Sequence, residues 1–159
     1  MGVTRVFIHG LESSSQGTKG LFFRERYPDM IIEDFHGPLK ERMEKLNRLL
    51  VGMEELILVG SSFGGLMASI YACENESRVK KLILLAPALH IVDFAPYLSR
   101  KVQIPVSLFH GSGDDVVPPE TVQAIARRIF ARLDYHLVDD DHSLHLTFPQ
   151  MGWEALLSP

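Results

Sequence analysis

Six short apolar runs recur along this chain, separated by stretches with helical spacing, and that alternation limits the fold more than any other feature. Residues 5–10 (RVFIHG), 30–35 (MIIEDF), 55–60 (ELILVG), 81–87 (KLILLAP), 106–111 (VSLFHG) and 134–139 (DYHLVD) read as strands. Most are continuously apolar at their centres, as strands covered on both faces require. Residues 39–52 (LKERMEKLNRLLVG) read as a helix, with Met43, Leu46, Leu49 and Leu50 on one face and a terminal glycine suited to a left-handed cap. Residues 62–76 and 119–133 are also amphipathic, the latter opening on Pro119 and Glu120. A weaker helix, residues 18–28, closes on Pro28. Strand and helix in strict alternation predict an α/β fold, three-layered and doubly wound, with about six mostly parallel strands. Residues 1–159 are read as one domain. In such sheets the chemistry lies beyond the carboxyl ends of the strands.

The unusual residues cluster there. Gly60-Ser61-Ser62-Phe63-Gly64 has the form G-x-S-x-G, between a predicted strand and a predicted helix. A strand that turns abruptly into a helix holds its apex residue in a strained conformation, and side chains two residues to either side would collide. Ser62 is thereby exposed at a helix N-terminus, where free N–H groups and the helix dipole favour negative charge. The Phe63 N–H is aimed where an oxyanion would develop, and the Leu11 N–H, after His9-Gly10, is the natural second donor. His9 itself is expected to pack beneath the site.

A serine hydroxyl needs a base, and the base needs a carboxylate to fix its tautomer. Asp114 and Asp115 follow the fifth predicted strand; His142 and His145 follow the sixth. His136 falls within a strand, and His36, His90 and His110 occupy no position that favours a base. The order serine, acid, histidine is that of the α/β-hydrolase fold. With its H-G loop (His9-Gly10), its G-x-S-x-G, its HGSGDDVVP segment (residues 110–118) and its DDH (residues 140–142), the sequence resembles the α/β-hydrolase superfamily over nearly its whole length. The resemblance implies Asp114 as the acid and His142 as the base, with Ser62 as nucleophile. It further implies a serine hydrolase of carboxylic esters acting through an acyl-enzyme, and the shallow walls of an uncapped site fit small or short-chain acyl groups. Thioesterase and acyltransferase chemistry use the same parts, and a binding module without turnover shares the fold.

Larger members carry a helical cap between the fourth strand and the acid-bearing one. Here residues 88–105 leave room for a loop and one short helix, so the chain looks like the small uncapped group of YqiA-type bacterial esterases and retinoblastoma-binding-protein-like serine hydrolases. Phe94, Tyr97 and Leu98 are the candidates to line the shallow site. No cofactor or metal is expected: Asp139, Asp140 and Asp141 lack the spaced carboxylates and glycine turns of hard-cation loops, though their charge could raise the basicity of His142. Net charge is −4, with both signs scattered and no basic run, which argues against nucleic acid or a membrane surface as partner. The single cysteine, Cys73, forbids an internal disulfide and lies in an apolar helical pattern, as a small core residue would. The opening residues are already strand-like and show no secretory leader, so a cytoplasmic location is expected.

Overall fold

The computed structural model describes residues 2–159. In chain order the elements are β1 (Thr4–Ile8), α1 (Thr18–Arg26), β2 (Ile31–Ile32), α2 (Leu39–Leu49), β3 (Leu56–Ser61), α3 (Phe63–Glu74), β4 (Val79–Leu85), β5 (Val102–Gly111), α4 (Pro119–Ile129), β6 (Phe130–Val138) and α5 (Trp153–Leu156). The sheet order is β2-β1-β3-β4-β5-β6, and every neighbouring pair is parallel. The chain leaves β1 toward β2 on one side and returns to β3 on the other. The crevice at that reversal lies between the loops that follow β1 and β3.

Successive residues along the strands feed opposite layers. Val6, Ile8, Leu56, Leu58, Leu82, Leu84, Val106 and Leu108 pack with residues of α2, α3 and α4, such as Leu46, Leu66 and Val122. Phe7, Ile57, Val59, Ile83 and Leu85 pack on the other face with Phe23 of α1 and Trp153 of α5. The two-residue periodicity of a strand, with both faces apolar, thus produces two cores and three layers. Phe23 is the hub of the second core, with edge-on contacts to Phe22, Phe148 and Trp153.

Apart from β5, which begins at Val102 instead of Val106, two elements differ from the sequence pattern. Of residues 30–35, only Ile31 and Ile32 pair with β1. Beyond them the chain peels away: Asp34 accepts the Ser15 N–H at 2.7 Å, and the Phe35 N–H donates to His9 Nε2 at 2.9 Å. The second correction is at α4, which stops at Ile129 rather than Leu133 and passes straight into β6. Phe130 pairs opposite Val102 at the start of the ten-residue β5. Sheet pairing along the edge overrides the helical spacing of Ile125, Ile129 and Leu133. Between β4 and β5 the chain forms one 3-10 helix, Val92–Tyr97. Among the described residues, no helix is long and apolar enough to cross a membrane.

Candidate active site

Ser62 stands at the corner between β3 and α3 with φ 56° and ψ −115°, a left-handed backbone that a non-glycine residue adopts only under constraint. The constraint is visible. The Ser62 N–H donates to Leu85 O of β4 at 2.9 Å, and its carbonyl accepts from Gly65, Leu66 and Ala88. The flanking glycines are demanded by backbone. A Cβ at Gly60 would lie 2.4 Å from Gly64 O, and one at Gly64 would lie 2.0 Å from Ile8 O. The corner is therefore wedged against both its own helix and β1.

Ser62, His142 and Asp114 meet in one hydrogen-bonded line, although 80 residues separate the serine from the histidine. His142 Nε2 lies 3.1 Å from Ser62 Oγ, and His142 Nδ1 lies 2.7 Å from Asp114 Oδ2. Asp114 Oδ1 accepts the Val116 and Val117 N–H groups, both at 2.8 Å. Burial alone would push the Asp114 carboxyl upward. The hydrogen bonds from His142, Val117 and Val116 outweigh it and hold the group below its ordinary value. An ionised acceptor at Oδ2 fixes the proton on His142 Nδ1 and leaves Nε2 free to accept from the serine.

The loops that carry the acid and the imidazole are joined to each other. Ser112 N donates to Val138 O at 2.7 Å, and Gly113 N to Asp140 O at 3.0 Å. A Cβ at Gly111 would fall 2.4 Å from the carbonyl oxygens of both Asp140 and Asp141. The Asp140 carboxylate accepts the N–H groups of Asp141, Leu146 and Thr147, folding the loop around His142. Asp141 is spent on Ser143 and His145. Neither carboxylate touches His142, so the acidic run organises the loop instead of acting directly on the imidazole. Asp115 is exposed, and His145 points outward to Asp141.

Leu11 and Phe63, the candidate oxyanion donors, line the same cavity as Ser62. Among the described residues, neither the Leu11 nor the Phe63 N–H has an acceptor within the chain. His9 lies beneath them, 1% exposed, with Nδ1 donating to Gly10 O at 2.7 Å while Nε2 accepts from Phe35. Burial lowers its pKa, only partly offset by the Gly10 bond, which keeps the ring neutral. Buried Arg42 of α2 donates to Gly37 O at 2.7 Å and to Leu11 O at 3.4 Å, and its guanidinium lies 5.3 Å from the centre of the Phe63 ring.

Ser62 and His142 open into a cavity of about 640 Å³. Its walls include Leu11, Phe22, Phe63, Ile91, Val116 and Phe148. Phe94, Tyr97 and Leu98, expected to line it, do not. Phe94 is fully buried and stacks on Tyr97, whose hydroxyl donates to Glu74 of α3 at 2.7 Å. Leu98 packs against the same core. The 3-10 helix turns these side chains onto α3, and Ile91 just before it faces the cavity. Phe22 and Phe148 were missed because they come from α1 and from the segment after His142, whose facing is set by tertiary packing. Val116 carried a signal: an apolar residue between the acid and the turn proline, 62% exposed in the fold.

A doubly wound parallel sheet with a strained serine corner after β3, and an acid and an imidazole on loops after β5 and β6, defines the α/β-hydrolase type of architecture. The alpha/beta hydrolase fold family matches residues 10–102, more than half of the 159, and the chain belongs to that family. Abhydrolase domain-containing protein lid-1 of Caenorhabditis elegans is 50% identical over 40 residues, 25% of this chain and 11% of that protein's length. Alpha/beta hydrolase domain-containing protein 10 from mouse superposes with a TM-score of 0.76 at 22% identity, over 92% of this chain and 87% of that one. Est1E from Butyrivibrio proteoclasticus gives 0.77 at 18% identity, over 98% and 85%. At those identities the two superpositions speak to the fold alone.

Proposed function

We propose that the protein is a serine hydrolase of carboxylic esters with small or short acyl groups, in which Ser62 is the nucleophile, His142 the general base and acid, and Asp114 the orienting carboxylate. The single observation that carries this reading is the continuous line Oγ–Nε2, Nδ1–Oδ2 at 3.1 and 2.7 Å, ending on a carboxylate saturated with donors. Ser62 Oγ attacks the acyl carbon as its proton passes to His142 Nε2. The carbonyl oxygen becomes an oxyanion held by the N–H groups of Leu11 and Phe63. The ester C–O bond then breaks, and Nε2 returns the proton to the departing alcohol. Water repeats the sequence on the acyl-serine and releases the acid. No step calls for a metal or an organic cofactor.

The apolar walls suit an acyl chain or ring, and the sparse interval between β4 and β5 supports a place among the small uncapped esterases. The substrate is a small molecule, and the expected setting is the cytoplasm. A fluorophosphonate probe tests the nucleophile: labelling of the wild type that vanishes in Ser62→Ala is expected. Failure to label folded wild type, or equal labelling of the variant, refutes the assignment. Rates on acyl esters of graded length, beside matched thioesters, then separate esterase from thioesterase chemistry.

A further inference from the structure

His110, the penultimate residue of β5, is fully buried and plays no part in the reaction just described. Its Nε2 lies 3.0 Å from Asp114 Oδ2 and 3.1 Å from Val117 O. Both neighbours are acceptors, so Nε2 carries a proton. Its Nδ1 is buried with no hydrogen-bond partner among the described residues. A proton there would have nowhere to go, which makes the ring neutral and fixes one tautomer. Burial is also the main influence on its ionisation, and it favours the uncharged ring despite the adjacent carboxylate.

We propose that His110 is a positioning residue for the reaction: a neutral N–H donor that completes the hydrogen-bonded cage around Asp114 and turns Oδ2 toward His142. Val116 and Val117 saturate Oδ1, and His110 and His142 share Oδ2. The carboxylate thus has four donors and a single orientation. Neutrality matters as much as donation. A second imidazolium beside His142 would oppose the positive charge that His142 gains when it takes the serine proton. A neutral ring steadies the carboxylate without that opposition. The titratable groups facing His110 are Asp114, on the loop after β5, and His142, on the loop after β6. The role rests on the proposed Ser62–His142–Asp114 chemistry, whereas the tautomer does not.

The experiment pairs His110→Leu with His110→Gln, whose amide N–H reaches about as far as Nε2, and reads the pH profile of kcat/KM on p-nitrophenyl acetate. Without the donor, Oδ2 is more basic and stabilises the protonated partner more strongly, so the acid limb moves upward, by about half a unit to one unit. In His110→Leu, kcat falls about ten- to a hundredfold with KM held, and His110→Gln recovers most of it. A destabilised core alone would lower the melting temperature and leave the limb in place. A folded His110→Leu protein whose profile overlays the wild type overturns the proposal. A second measurement needs no variant. Nitrogen-15 NMR of histidine-labelled wild type, at the pH of the activity assay, is expected to show His110 as the neutral Nε2–H tautomer. An Nδ1–H tautomer, or a doubly protonated ring, also overturns it. Activity surviving in Ser62→Ala would instead sink the nucleophile assignment, and the NMR result would still report on His110.

Discussion

Replacing Asp114 with Asn changes one oxygen to an NH₂ group, and the surroundings dictate which one. Val116 and Val117 both point N–H groups at Oδ1 from 2.8 Å, so the amide oxygen must take that side. The new NH₂ then occupies the Oδ2 position, facing His110 Nε2–H at 3.0 Å and His142 Nδ1–H at 2.7 Å. Donor meets donor. His142 escapes by moving its proton to Nε2, where it points at Ser62 Oγ, 3.1 Å away. An imidazole that donates to the serine cannot take its proton. Loss of a triad carboxylate in this way costs about 10³- to 10⁴-fold in kcat, or about 4 to 5.5 kcal/mol of barrier. KM should change little, because neither oxygen of Asp114 reaches the cavity. Steady-state hydrolysis of p-nitrophenyl acetate, with circular dichroism to show a folded protein, is the assay. A folded Asp114→Asn variant within tenfold of wild-type kcat would refute the reasoning, because the proton would then be handled by a group other than this carboxylate-bound imidazole.

The same carboxyl shapes acid stability. Its folded-state pKa is depressed, so its stabilisation is complete above the unfolded value near about pH 4 and is lost as pH falls through the folded value. Urea unfolding between about pH 6 and about pH 3 should show a shallower acid decline in Asp114→Asn. Gly64→Ala should destabilise by more than about 3 kcal/mol or block folding, because its Cβ would meet Ile8 O at 2.0 Å and His9 O at 2.5 Å. Gly10→Ala, with nothing nearer than 3.5 Å, should unfold at nearly the wild-type denaturant midpoint. Phe94→Ala should cost about 3–5 kcal/mol in denaturant unfolding yet leave acyl preference intact. Val116→Ala should do the reverse, leaving stability within about 0.5 kcal/mol while altering KM across esters of graded length.

What the sequence disclosed follows from how local each cause is. The apolar cores of β3 and β4 were legible because strands covered on both faces leave continuous runs. The serine corner was legible because its glycines answer to backbone contacts within a few residues and to the loop after β1. Position after β5 and β6 left Asp114 beside Asp115 and His142 beside His145, and only the resemblance to the α/β-hydrolases chose between them, because which side chain of such a pair turns inward is set by loop hydrogen bonds that spacing does not encode. β2 was overextended because Phe35 gives its N–H to the His9 ring, a contact 26 residues distant that no periodicity encodes. The aromatic residues near 94–98 were set on the wrong side for a related reason: in a 3-10 turn, spacing does not say which face meets α3. His110 went unnoticed as a partner because its relation to Asp114 depends on how lone pairs are shared around one oxygen.

Because Gly111 lets the backbone after β5 nestle directly on the carbonyls of residues 140 and 141, the carboxyl and the imidazole ride on a single welded block. The serine belongs to a different block, β3 and the start of α3. Of the two joints in the line, the imidazole–carboxyl one links loops that are bonded to each other, and the 3.1 Å one spans from that pair of loops to the corner after β3.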